Sequence, residues 1–482
     1  MSAPPRMPRR GCLDRARGAP SAIGELLQTR ACGTRVRAAL GVCATVPPVQ
    51  EQQRDIGLVR ALGPWALAAS TFSMIVGAGI FVMPAALAAA AGPYAALAFL
   101  ACGVAVGAVA ICFAEGCSRV STSGGVSGVV EAAFGPLAGY VAGTLLWVCC
   151  VLACGAVAAA LADLVATLFP QSYAASVRAI VIVGAIGGIA LVNLGGVARG
   201  ARLVSGVTLL KLAPLLIFIA AGASAVHGSN FAVTVHPDAQ GFGRAMLLAV
   251  FSLVGMETAL CASGEVRQPN RTIPRALGIA VVGTTILYMA IQFVAQGVLG
   301  AELATSRAPL ADAMARVHPM LRALMLAGTA VSIFGWLGSD ILGSPRQLFA
   351  FARDGLLPRV LGRVHPRTHV PHVAIVVYAG IAIALALTGT FAELVVVSTL
   401  AVAALYAGGC AAAWVLARRG VALAGPPLKF RFLGVATVVG IGGMVALIAL
   451  GSRQEIISLA VLVALSVVVY LIQARSALAR PG

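Results

Sequence analysis

Charge is scarce in this sequence: Asp, Glu, Lys and Arg make up only 10% of its 482 residues, whereas 60% are hydrophobic. A water-soluble domain carries about 25% charged residues, and the mean hydropathy of +0.97 puts this chain in a different solvent, the lipid bilayer. Between Ala61 and Ala114 there is no charged residue at all. A spanning helix needs about 20 apolar residues, so that stretch holds two, parted at Gly92-Pro93, where one helix stops and the next starts. Also lacking are CxxC pairs and any Cys/His set at metal-site spacing. His365, His369 and His372 could share a helix face, but Pro366 and Pro371 make that segment a loop, so neither metal nor cofactor is expected. A membrane enzyme would need a converging nucleophile and base, and a channel repeated polar rings. Neither pattern is present in the sequence.

What the chain does have is apolar helical runs. Twelve spans are expected, near 62–90, 94–117, 136–166, 177–195, 203–226, 242–264, 276–300, 320–344, 371–389, 392–417, 432–451 and 455–474. The expected fold class is therefore all-α, a polytopic membrane protein. The formal charge of +18 does not point to nucleic acid, because the basic residues lie between spans rather than on one soluble face. Loops on the side that holds Arg119, Arg275, Arg363 and Arg431 carry seventeen basic residues and the opposite loops six. The positive-inside rule then places both termini in the cytoplasm, with the chain in the cytoplasmic membrane. Residues 1–57 are rich in Arg and Pro, and their best apolar run, Ala38 to Val46, is too short to span. They read as a disordered basic tail. Cys102, Cys112, Cys149, Cys150, Cys154, Cys261 and Cys410 fall inside spans, where a small buried thiol serves helix packing.

Two spans carry glycine at mid-depth. The first reads Val76-Gly77-Ala78-Gly79-Ile80-Phe81, and the sixth reads Phe251-Ser252-Leu253-Val254-Gly255-Met256-Glu257. Each opens a block of five spans, the arrangement of discontinuous helices in repeat-built transporters. Backbone that unwinds in hydrocarbon loses several kcal/mol per unsatisfied group, so it persists only beside a polar cavity. A zwitterion suits such a place: helix N-terminal amides attract a carboxylate, and freed carbonyls accept from an ammonium. The plainer alternative is that Gly77 and Gly79 form a close-packing face between helices.

With these residues in place, the sequence resembles the amino acid-polyamine-organocation permease superfamily. The first span is similar to its Gly-x-Gly-Ile-Phe signature through Gly77, Gly79, Ile80 and Phe81. Phe113 to Gly125, with Phe134-Gly135 and Trp147, resembles the family's inner end of span two. Phe251 to Ala276 resembles its sixth span and exit, and Ser344 to Pro371 its segment after span eight, especially in the cationic amino acid transporter branch. The resemblance implies a LeuT-like five-plus-five inverted repeat, with residues 58–226 and 227–419 as the halves and 420–482 as two further spans and a tail. It implies a secondary transporter of amino acids working by proton coupling or exchange; an amino acid or polyamine antiporter and a sensor that binds without flux are the alternatives. The substrate carboxylate would meet amides around Ala78 and Gly79, beside Gly77, and its ammonium the carbonyls of Ile75, Phe251 and Val254 near Gly255. Phe251 would close as an aromatic gate, and Cys149, Cys150, Cys154 and Asp340 would face the side chain. Ser121 or Thr122 stands where the family has Pro, and no aromatic follows the Gly-Gly pair near Ser127. Where arginine-agmatine exchangers have Asn and Trp, this chain has Cys154 and Phe251, which argues against that exchange.

Three charges fall well inside spans: Lys211, Glu257 and Asp340. Each costs at least about 2.5 kcal/mol at bilayer centre, so each should face the protein interior and be paired, neutralised or functional. Glu257 reads either as a structural acid bonded to loosened backbone or as a coupling site that loads and releases a proton. Lys211 is similar to a family lysine that stands in for a sodium ion, or else it pairs with Asp340 or snorkels to the surface. An Asp340 without a partner would favour a cationic substrate; paired with Lys211 it would not, and small neutral amino acids would then fit the Cys- and Ala-lined wall of span three equally well.

Overall fold

The computed structural model describes residues 64–77, 79–120, 125–168, 175–196, 210–232, 238–260, Val266, 268–423 and 426–478. The tail 1–57, Ala78, the Ser121/Thr122 departure, Cys261 and the start of the fifth expected span lie outside the described residues. Among the described residues seven helical stretches are long and apolar enough to cross a bilayer, accompanied by five shorter apolar helices. The expected spans map onto them as single helices or broken pairs.

The first span is two helices, α1 (Pro64–Ile75) and α2 (Gly79–Ala91). The second is α3 (Ala95–Arg119). The third is α5 (Pro136–Leu168), preceded by a helix the sequence did not suggest, α4 (Gly125–Phe134). Gly135 joins the two at φ +94, a left-handed conformation that a side chain disfavours. Then come α6 (Ala175–Leu194) and α7 (Leu212–Gly222).

The same series begins again with a broken pair, α8 (Ala239–Leu253) and α9 (Met256–Leu260). The long α10 (Pro269–Leu299) follows, then short α11 (Pro309–Ala315) before long α12 (Pro319–Gly343). The order of broken helix, long helix, and short helix leading into a long one thus occurs twice. After α13 (Pro345–Arg353), a 3₁₀ turn and the looped His365–His372 segment come α14 (His372–Thr388) and α15 (Phe391–Arg418). Two further helices, α16 (Leu433–Ala449) and α17 (Arg453–Leu478), complete the described chain. The polytopic all-α architecture read from hydropathy is the one observed.

Helices far apart in sequence interleave: α10 packs along α1 and α3, α15 along α5 and α3, and α14 along α5 and α6. Small residues permit this closeness. A Cβ at Gly103 would sit 2.4 Å from Thr285 Cγ2, so α3 and α10 meet without a side chain between them. The seven described cysteines are free, six of them buried and Cys150 partly so. Cys149 illustrates their packing role: its Sγ lies 3.3 Å from Ser398 Oγ, and Ser398 donates to the Cys149 carbonyl at 2.9 Å, fastening α5 to α15. The outer face carries Ile180, Val282, Ile286 and Val438, all exposed, as a lipid-facing surface requires.

Candidate functional site

The two breaks meet. Gly255 has φ +133, and a Cβ on it would lie 2.9 Å from the Met74 carbonyl carbon and oxygen. Backbone rests directly on backbone here, so glycine is required twice over, for its dihedral and for the absence of a side chain. At the first break, a Cβ on Gly77 would fall 2.6 Å from Trp336 Cδ1 of α12, and one on Gly79 would touch the Phe251 ring at 3.6 Å. The glycines therefore mark where aromatic rings come down onto exposed main chain.

Around this junction lies a cavity of about 50 Å³, lined by Ile75, Gly77, Gly79, Cys149, Cys150, Phe251, Val254, Gly255, Glu257 and Asp340, together with Met74, Ala153, Val157, Ser252, Tyr288 and Trp336. Ten positions singled out from sequence thus surround one space, drawn from α1, α2, α5, α8, α9, α12 and the breaks between them. Cys154 is not among the lining residues, although it is fully buried on α5. Lys211 lies apart as well, buried at the start of α7 with 4% of its surface exposed. A larger apolar hollow exists on the membrane face, but it holds none of the groups that could grip a zwitterion.

The breaks are partly satisfied from within. The Ile75 carbonyl accepts the Gly77 N–H at 2.8 Å and the Tyr288 hydroxyl at 2.9 Å, which engages both of its lone pairs. The Ile75 oxygen expected to meet a substrate ammonium is thus already doubly bonded. Ser332 of α12 donates to the Gly77 carbonyl at 3.2 Å. At the second break, Val254 N–H donates weakly to the Phe251 carbonyl at 3.3 Å. The first N–H groups of α2, at Gly79 and beyond, have no intrahelical acceptor by the geometry of a helix start. Ser252 is 3% exposed, lines the cavity, and has an Oγ with no partner among the described residues. Phe251, which makes an edge contact with Phe391 at 6.4 Å between centroids, forms the wall over Gly79.

Each acid lining the cavity is held by a tyrosine. Glu257, 1% exposed, accepts from Tyr406 of α15 at 2.5 Å and from the Gly255 N–H at 3.1 Å. Asp340, 6% exposed, accepts from Tyr378 of α14 at 2.5 Å and from Ser344 at 2.7 Å. Among the described residues the ion pair between Asp340 and Lys211 weighed from sequence is not formed; the hydroxyls of Tyr378 and Ser344 take its place. Tyr288, Tyr378, Tyr406, Ser252 and Trp336 were not found by reading the sequence. The one clue to them was a polar aromatic in the middle of an apolar run, in a chain with only 7 tyrosines and 4 tryptophans.

Known proteins give this geometry its context. The amino acid permease family matches residues 62–474. An uncharacterized transporter of Mycobacterium tuberculosis is 33% identical over 368 residues, 74% of this chain and 79% of its own. A methylthioribose transporter of Bacillus subtilis is 28% identical over 370 residues, covering 73% and 80% of the two chains. The branched-chain amino acid permease of the same bacterium is 27% identical over 349 residues, 66% and 72% of the two. A family match across nearly all the apolar spans, two broken helices meeting over one small cavity, and relatives that are transporters rather than enzymes lead to one assignment: this chain is a multi-pass membrane transporter belonging to the amino acid permease family.

Proposed function

We propose that the protein carries small neutral amino acids across the cytoplasmic membrane by alternating access, with a proton as the coupled ion. The observation that supports this most is the meeting of the two breaks at Gly255 and Met74, which leaves helix-start amides and loosened carbonyls around one cavity. In this reading the carboxylate binds the amides at Gly79 with help from the Ser252 hydroxyl, and the ammonium binds the carbonyls of Phe251 and Val254. Gly77 shapes the turn, and Cys149 and Cys150 face the substrate side chain. Phe251 and Trp336 close over the bound molecule.

Two features favour a neutral side chain over a cationic one. Asp340 already accepts two hydroxyl hydrogen bonds, one on each carboxylate oxygen, so it offers little to a substrate ammonium or guanidinium. The space is also small, about 50 Å³, room for only a few water-sized groups. The halves of the transport core are residues 58–226 and 227–419, with 420–482 outside it, and the loops rich in Arg face the cytoplasm. Glu257, at the junction itself, is the proton site, and Lys211 stands in the place of a bound cation.

Reconstitution into proteoliposomes with a panel of labelled amino acids and methylthioribose, with and without an imposed proton gradient, tests the reading. Alanine-sized substrates should accumulate, an inward proton gradient should speed them, and lysine should not compete. Efficient lysine uptake, or ligand binding without flux, would overturn it. In the same assay Lys211→Ala should lower uptake and alter its pH profile; an unchanged profile removes Lys211 from the mechanism.

A further inference from the structure

The membrane face of α3, α10 and α16 is not smooth. A groove of about 650 Å³ runs between them, walled by Leu100, Val104 and Ile111 of α3, Val282 and Ile286 of α10 and Val435 of α16. Gly107 and Gly278 stand open in it: a Cβ at either would meet nothing within 4 Å. At one end the groove runs into a second cavity of about 420 Å³ that shares Phe430, Phe432 and Val435 with it and is lined by Arg418, Lys429 and Arg431.

The charge of that second cavity is one-sided. Its acid, Glu115, is consumed by Arg119, whose Nε and Nη2 both donate to Glu115 Oε1. The other carboxylate oxygen accepts the Phe430 N–H at 2.9 Å. Arg119 spends its remaining reach on the Val421 carbonyl at 3.0 Å. Among the described residues no acid forms an ion pair with Arg418, Lys429 or Arg431. Arg418 instead lies over the Trp414 ring, 4.7 Å from its centroid, and all three cations are exposed.

An apolar trough in the lipid plane that ends in three uncompensated cations matches one kind of molecule. We propose that this groove is a specific site for an anionic phospholipid, with acyl chains along α3, α10 and α16 and the headgroup phosphate at Arg418, Lys429 and Arg431. Guanidinium and ammonium groups are the usual partners of phosphate oxygens, and basic pockets between transmembrane helices on the cytoplasmic side hold anionic headgroups. The wall at Val435 and Phe432 belongs to the segment outside the transport core, so the bound lipid would cement α16 to α3 and α10.

The test uses the full chain, purified in neutral detergent, with binding read by native mass spectrometry and by thermal stability. Phosphatidylglycerol should bind on the order of tenfold tighter than phosphatidylcholine. Arg418→Gln with Lys429→Gln and Arg431→Gln, all exposed positions, should bring the two lipids level. Gly278→Leu, which fills the groove, should weaken both lipids alike, and Gly107→Leu serves if that variant does not fold. Equal binding of the two lipids by the unaltered protein, a preference that survives the triple substitution, or glycerol 3-phosphate competing as well as the whole lipid would overturn the proposal. So would a co-purifying single-pass helix that fills the groove and excludes phosphatidylglycerol.

Discussion

The two acids of the cavity are built alike and placed differently: one grips the broken backbone and the other ties unbroken helices together. Glu257 and Asp340 each accept a tyrosine hydroxyl at 2.5 Å from a helix near the end of the second half. Glu257 also accepts from the main chain of the break itself, the Gly255 N–H. Asp340 accepts its other bond from a side chain, the hydroxyl of Ser344 that caps α12 one turn later. Adding or removing a proton at Glu257 therefore changes what holds the broken backbone. The same event at Asp340 changes only how α12 is capped and tied to α14.

That contrast can be broken most severely at the glycine that Glu257 grips. Gly255→Ala puts a methyl against the Met74 carbonyl and forces a side chain into a left-handed dihedral that alone costs about 1–2 kcal/mol. Uptake in proteoliposomes should be lost, while a fluorescence-detected elution profile still shows assembled protein. Next in size, Glu257→Gln keeps the shape but cannot ionise. Proton-driven uptake should fall on the order of tenfold or more and its pH dependence should flatten, with exchange in the absence of a gradient less affected. Retained pH dependence would move the proton site elsewhere.

The tyrosines sharpen the comparison further. Each hydroxyl removed deletes a hydrogen bond to an acid, about 1.5–3 kcal/mol when the acid is charged. Tyr406→Phe should shift the pH profile of transport, whereas Tyr378→Phe should lower thermal stability and leave that profile in place. The smallest effect is expected from Asp340→Asn. Its amide can still accept from one hydroxyl, so a change of about 1 kcal/mol in stability and no change in the discrimination of alanine from lysine are the expected outcomes. Altered selectivity would return Asp340 to the substrate side chain.

Much of this was legible in the sequence because the chemistry was local. A run of apolar residues announces a span, and glycine at mid-depth beside an acid announces a break, so Gly77, Gly79, Gly255 and Glu257 could be named before any fold was known. The partners of those groups could not. Tyr288 reaches the Ile75 carbonyl across 213 positions of sequence, and Tyr406 reaches Glu257 across 149; no periodicity within one helix encodes such a meeting. Trp336 was hidden for the same reason, an aromatic in an apolar span being unremarkable until Gly77 is seen beneath it. Helix α4 was missed because its ten residues, bounded by Gly125 and Phe134, are too few to announce themselves by hydropathy.

The contact between Gly255 and the Met74 peptide also governs how the molecule can flex. With no side chain interposed, there is nothing soft between the two main chains to absorb a relative slide, so tilting α1 must push on the turn that leads into α9. The pair then works like a knuckle rather than two separate hinges. Swinging one arm open towards one side of the membrane obliges the other arm to follow.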